Sequence, residues 1–172
     1  MLNDYQANAL RTANHTADKN LRLAVAGMGL AGEAAEVLDL VSTGSPEHDK
    51  LVKEIGDLAW YIAETASIIG VRLSDLPQPA LMFPGTPLIG AVDLMVRAGK
   101  IADYLKKVVG HGHVLDEVRV STELGELLVA LSNFVGREGL NFAFVLEQNV
   151  AKLKARYPQG FETVRSELRS EE

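Results

Sequence analysis

Glu33, Glu36, Glu54 and Asp57 form two acid pairs, each spaced i, i+3, and both cross-pairs, 33 with 57 and 36 with 54, share Ser45 as their midpoint. If residues 20–43 and 46–69 are helices folded back through Gly44-Ser45-Pro46, equal distances from the turn set Glu33 opposite Asp57 and Glu36 opposite Glu54. Two like charges about 5 Å apart repel by roughly 3 kcal/mol at an effective dielectric near 20, so four acids in one small volume need a cation. Hard oxygen donors, in a chain with no cysteine and no well-placed histidine, select Mg2+, Mn2+ or Ca2+ over zinc or copper. Mg2+, with Mn2+ as a substitute, is commonly held by few carboxylates plus substrate phosphates, which makes a phosphoanhydride the expected substrate. The competing reading is a solvated acidic face. Against it, Glu33, Glu36 and Glu54 have Val37, Leu40 and Leu58 at i+4 in place of Lys or Arg partners. Gly32 and Gly56 also flank the acids inside helices, at about 1 kcal/mol each relative to Ala, which points to close approach of a backbone or ligand.

The elements that must position these acids follow from periodicity and punctuation. A first helix is expected from Asn3 or Asp4 to about Lys19. The second carries an apolar stripe of Ala24, Val25, Met28, Ala31, Ala35, Leu38 and Val41. Ser45 and Pro46 suit the cap and first turn of a third, with Leu51, Ile55, Leu58, Ile62, Ala66 and Ile69 on one face and a stop at Gly70. Residues 71–87, rich in proline, read as a connector. Further helices are expected over about 87–109, 115–138 and 141–157, the last closed by Pro158 and Gly160, and Phe161 to Glu172 is expected to fray with one short helical turn at most. The expectation is a single all-α domain over 1–172, a bundle of about six helices: hairpin 1 at about 20–70, the connector, hairpin 2 at about 87–139, and a C-terminal helix.

Composition supports this class. Nearly half of the 172 residues are apolar and few are aromatic, which suits packed helices. A net charge of −6 argues against a nucleic-acid binder. With no cysteine, no signal-like start and no apolar run long enough to span a bilayer, a soluble, cytoplasmic protein without membrane contact is expected.

The chain also looks like itself. At an offset of 67, Ala24, Val25, Met28, Ala31, Gly32, Ala35, Leu38 and Val41 match Ala91, Val92, Met95, Ala98, Gly99, Ala102, Leu105 and Val108; at 69, Glu54, Gly56 and Gly70 match Glu123, Gly125 and Gly139. We read a duplicated helical hairpin, although amphipathic helices share some identities by chance. The acids map imperfectly: Glu33 to Lys100, Glu36 to Asp103, Glu54 to Glu123 and Asp57 to Glu126. An ammonium at a ligand position implies one working centre per chain.

Gly29-Leu30-Ala31-Gly32-Glu33-Ala34-Ala35-Glu36-Val37 followed by Lys53-Glu54-Ile55-Gly56-Asp57-Leu58-Ala59-Trp60-Tyr61 resembles the MazG-type all-α nucleoside triphosphate pyrophosphohydrolases, whose hallmark is ExxE followed by ExxD. The likeness extends to Leu2-Asn3-Asp4-Tyr5-Gln6 with Arg11-Thr12-Ala13, and to the ending Asn149 to Phe161. It implies that Glu33, Glu36, Glu54 and Asp57 bind Mg2+ bridging to a triphosphate, that water attacks the α-phosphorus, and that the products are a nucleoside monophosphate and pyrophosphate. Non-standard or surplus deoxynucleotides are the implied substrates. Residues 76–140 depart from the shorter members, which pair hairpins between subunits; an internal copy would be expected to supply the partner in cis, so a homodimer is possible but not required.

Asn149, Lys152 and Arg156 share one face of the last helix, beside Tyr157. Cations there complement the helix dipole; by the resemblance, Asn149 and Lys152 bind phosphate or sugar and Arg156 adds charge, with Lys53 and Lys100 weaker candidates. Trp60 and Tyr61 are expected to pack in the core, or alternatively to stack on a base. His111 and His113 are expected as exposed turn residues rather than metal ligands. Lack of any Glu-x-x-His removes a di-iron bundle. Three rivals remain: a phosphoribosyl-ATP pyrophosphohydrolase, a nucleotide-binding or regulatory protein of this fold without turnover, and a purely structural protein with no Mg2+ dependence.

Overall fold

Side-chain caps and glycine stops divide the described residues into six α-helices. A computed structural model describes residues 1–82 and 85–161, with α1 at Leu2–Ala9, α2 at Lys19–Ser42, α3 at His48–Ile68, α4 at Pro87–His111, α5 at Glu117–Arg137 and α6 at Phe142–Arg156. Among the described residues there is no strand. Four starts carry a side-chain cap: Asp18 accepts from the Leu21 N–H at 2.9 Å, Thr86 from Ile89 at 3.3 Å ahead of Pro87, Asp116 from Arg119 at 3.0 Å, and Asn141 from Phe144 at 3.1 Å. Each satisfies one of the N–H groups that a helix start leaves without an intrahelical partner.

The helices pack as a bundle. The short links 43–47 and 112–116 fold α2 against α3 and α4 against α5; α2 also lies along α4, α6 crosses α3, and α1 packs on α3 and α6. The α3 stripe is buried as expected, with Leu51, Ile55, Leu58, Ile62 and Ala66 inaccessible to solvent. In α2 the buried stripe is Leu23, Ala26, Gly27, Leu30, Ala34, Val37 and Val41, whereas Val25 and Met28 are exposed. This corrects the expected face. The helix is apolar around most of its girth, and the need to meet α3 on one side and α4 on the other, where Gly27 faces Ala102 and Leu105, decides which residues go inside.

Two boundaries also differ. The first helix does not run to Lys19. Leu10–Thr12 tightens into a 3-10 turn, Thr12 Oγ1 donates to the Ala9 carbonyl at 2.8 Å, and Ala13 turns extended, so a loop reaches the Asp18 cap. The third helix starts after Glu47 rather than at Pro46: the Ser45 N–H donates to Thr43 Oγ1 at 3.4 Å, which keeps Ser45 in the turn and out of the capping position. Glu162 to Glu172, most of the segment expected to fray, lies outside the described residues. No helix among the described residues is long and apolar enough to cross a membrane.

Candidate metal centre

Glu33 and Glu36 come from α2, Glu54 and Asp57 from α3, each pair less than one turn apart. One carboxylate oxygen from each of Glu33, Glu36 and Glu54 lies within 4.8 Å of the others, and no other described group of acids or histidines has this arrangement. Electrostatics follow the expected cross-pairs. Burial raises the Glu33 carboxyl from 4.5 to about 8, helped by the charge of Asp57, then of Glu36 and Glu54, with Lys152 opposing. Burial likewise lifts Glu54 to about 7, followed by the charges of Glu36 and Asp57 and a hydrogen bond with Glu36, again with Lys152 opposing. None of the three glutamates forms an ion pair with a described residue. Glu36 is exposed and Glu33 and Glu54 are half-buried, so the cluster is open to solvent on one side.

Asp57 stands beside this trio in a different setting. Lys152 Nζ reaches both of its oxygens at 2.5 Å, and Asn149 Nδ2 donates to Oδ1 at 2.9 Å. Asn149 is held in turn: its Oδ1 accepts from the Tyr5 hydroxyl at 3.0 Å, with the Gly56 carbonyl oxygen 3.3 Å from that hydroxyl. Burial first, and the charge of Asp57 second, push the Tyr5 phenol well above its usual range, so it stays a donor. Gly56 has a reason in this contact, because a methyl group there would stand 2.9 Å from Asn149 Cβ. Gly32, by contrast, faces open space, with no backbone or side chain of the described residues close to it. The required small residue on α2 is Gly29, where a methyl group would sit 2.2 Å from the Tyr61 ring.

That ring forms part of a cleft of about 320 Å³, within the lower range of small-molecule sites. Glu33 and Asp57 line it, together with Leu21, Val25, Trp60, Tyr61, Leu153 and Tyr157. Trp60 Nε1 donates to the Ala9 carbonyl at 3.0 Å and to Thr12 Oγ1 at 3.1 Å, and its ring meets Tyr61 edge-on with centroids 4.9 Å apart. Both aromatics are half-buried, so each packs on the core and borders the cleft. The break after α1 has a use here, since Thr12, Asn14 and Ala17 complete the wall. Of the expected substrate-binding residues, Asn149 and Lys152 meet at Asp57, Tyr157 lines the cleft, Arg156 is half-buried and Lys53 is exposed.

Tyr5, Arg22 and Glu64 were not singled out as site residues from the sequence. Glu54, Asp57, Tyr61 and Glu64 follow at steps of three, four and three, so the acid face simply continues one turn further along α3. That spacing was the available signal for Glu64. Tyr5 and Arg22 left none.

The corresponding acids of the second hairpin are each neutralised by the chain itself. Asp103 pairs with Lys106 at 2.5 Å and Lys107 at 2.6 Å, and the hydrogen bonds from these lysines hold its carboxyl down at about 2. Arg119 bonds Glu123 at 3.0 Å, and Arg97 joins Glu126 and Asp93, both at 2.8 Å. Lys100, His111 and His113 are exposed.

Searches of protein-family models, curated proteins and solved structures return no match to this chain.

Proposed function

We propose that this chain is a MazG-like, divalent-metal-dependent nucleoside triphosphate pyrophosphohydrolase, converting a (d)NTP and water to a (d)NMP and pyrophosphate in the upkeep of a cytoplasmic nucleotide pool. One observation carries the reading: three carboxylates from two helices converge beside a partly aromatic cleft, none of them in an ion pair with a described residue. The donor set fits a hard ion such as Mg2+ or Mn2+, since it offers oxygen only, and burial with mutual repulsion, which the Lys152 ammonium offsets only in part, raises the carboxyls of Glu33 and Glu54. When bound by Glu33, Glu36 and Glu54, the ion would neutralise phosphate oxygens and make a nearby water more acidic.

The chain's own groups supply the rest. Asp57 is held by Lys152 in the free protein, and an ion held by Glu33, Glu36 and Glu54 would compete for it. Once released, Lys152 is placed to donate to a phosphate oxygen, while Asn149, anchored by Tyr5, keeps Asp57 in line. Water forms the new bond to the α-phosphorus, the bond to the bridging oxygen breaks, and pyrophosphate leaves. Glu33 and Asp57 are the two of the four acids that line the cleft, and with Asp57 bonded to Lys152 and Asn149, Glu33 is the one placed to accept the proton of that water. The second hairpin, with its acids neutralised, acts as packing partner for the first and leaves one centre per chain.

A panel of dNTPs, NTPs and phosphoribosyl-ATP, with Mg2+ and with product identification, tests the proposal. Monophosphate and pyrophosphate from dNTPs are expected. Turnover confined to phosphoribosyl-ATP would replace the substrate class. Nucleotide binding without release would leave a binding protein.

A further inference from the structure

Further along the same two helices, the cleft wall contains a part-buried ion pair that is only half used. Arg22 donates from Nε at 2.9 Å and from Nη2 at 2.7 Å, both to the same oxygen of Glu64, Oε1. A pair serving stability alone prefers two parallel bonds, one to each oxygen, because that satisfies both sets of lone pairs. Here Glu64 Oε2 is buried with no partner, on a residue only 5% exposed. Glu123 Oε2 and Glu138 Oε1 share this condition among the described residues, but of the three only Glu64 lines the cleft, where a ligand could supply the missing donor. Both residues line the same cleft as Glu33 and Asp57, and Trp60, Tyr61 and Tyr157 lie among them.

We infer that Glu64 is a specificity-determining residue whose Oε2 accepts an N–H from the pairing edge of a bound nucleobase, favouring bases that carry an exocyclic amino group over their keto-only counterparts. The inference deepens the pyrophosphohydrolase reading and rests on its assignment of the cleft to a nucleotide. The chemistry is directional. Two donors of Arg22 are committed to Oε1, so the wall offers a base one anionic acceptor. The amino group of cytosine or adenine presents an N–H beside a ring nitrogen. Uracil and hypoxanthine put a carbonyl oxygen in that place, lone pair against carboxylate, and the ring N–H of uracil is flanked by carbonyls on both sides. A site built to bond an exocyclic amino N–H discriminates against a base with a carbonyl in that place, because the buried acceptor then meets a lone pair and is left unpaired.

The test uses monophosphates, which have no phosphoanhydride to hydrolyse and are expected to occupy the cleft without metal. Calorimetry on the full chain is expected to give dCMP a Kd at least about tenfold below that of dUMP, and Glu64→Gln, whose amide would turn an N–H toward the cleft, is expected to level or invert that ratio. Melting curves establish that the variant folds. If it does not, N4,N4-dimethyl-dCMP decides with the unaltered protein: it keeps the ring but has no N–H and is expected to bind as weakly as dUMP. Equal affinity for all three ligands, or a ratio unmoved by Glu64→Gln, would show that Oε2 meets only an ordered water and would overturn the inference. Failure of the enzymatic reading looks different: no pyrophosphate from any dNTP, with the dCMP preference and its dependence on Glu64 still present.

Discussion

Replacing Glu33 by glutamine tests whether the acid cluster is assembled against its own charge. The folded chain holds Glu33 at about 8 against an ordinary 4.5, so it binds more protons than the unfolded chain throughout that window. Stability in the absence of metal must therefore fall as pH rises from about 4.5 to about 8, and level off above. At 1.36 kcal/mol per pH unit the full window is worth roughly 5 kcal/mol, and screening around a side chain that is partly open to water reduces this to about 2 kcal/mol. Glutamine stands in for the protonated acid. Glu33→Gln should then stabilise the metal-free protein at pH 8.5 by about 2 kcal/mol, or about 4–8 °C in Tm for a chain of this size, with little change near pH 4.5. Melting curves with chelator and with added Mg2+, at both pH values, check it. Mg2+ is expected to raise the Tm of the unaltered chain more than that of the variant, because an ion that binds only the folded state adds RT ln(1 + [L]/Kd). A variant less stable than its parent at pH 8.5 without metal would refute the reasoning, since the carboxylate would then be held by some favourable contact.

Glu36→Gln should abolish pyrophosphate release with the helix content unchanged by circular dichroism, while Lys100→Glu in the second hairpin is tolerated; equal loss in both would contradict a single centre. Gly56→Ala should cost about 1–3 kcal/mol in urea denaturation and lower activity as well, because the new methyl displaces Asn149 from Asp57. Lys152→Met should weaken turnover but strengthen Mg2+ binding in calorimetry, since it removes the ammonium that competes with an ion for Asp57. A fall in Mg2+ affinity would show that Lys152 does not compete.

Much of this arrangement was legible before any coordinates. The ExxE and ExxD spacings and their common midpoint gave the cross-pairing of Glu33 with Asp57 and Glu36 with Glu54, because helical registry is local and a short turn fixes the rest. The α3 stripe was equally clear, since polar residues interrupt its other faces. The buried face of α2 was not: Ala, Gly, Val and Leu surround it, several stripes satisfy the same three- and four-residue steps, and only its packing between two helices selects one. The capture of Asp57 by Lys152 and Asn149 joins residues some ninety positions apart, which no local pattern encodes. Asn149 and Lys152 could be picked as site residues, but from resemblance and helix face, not from a visible partner.

The two hairpins answer the problem of carboxylates on neighbouring helices in opposite ways. Arg97 reaches from α4 to Glu126 on α5, and Arg119 covers Glu123, so that half carries its counter-ions in its own covalent chain. The Glu33–Glu36–Glu54 half has only the neighbouring Lys152 to offset it and leaves the rest of the matching charge to the surroundings. If that charge is a divalent ion, as we propose, rigidity near the Gly44 turn would track the free ion and the acidity of the medium, and local opening there should quicken under chelation while the far hairpin stays indifferent. One bundle would then join a self-sufficient end to an end that senses its solution.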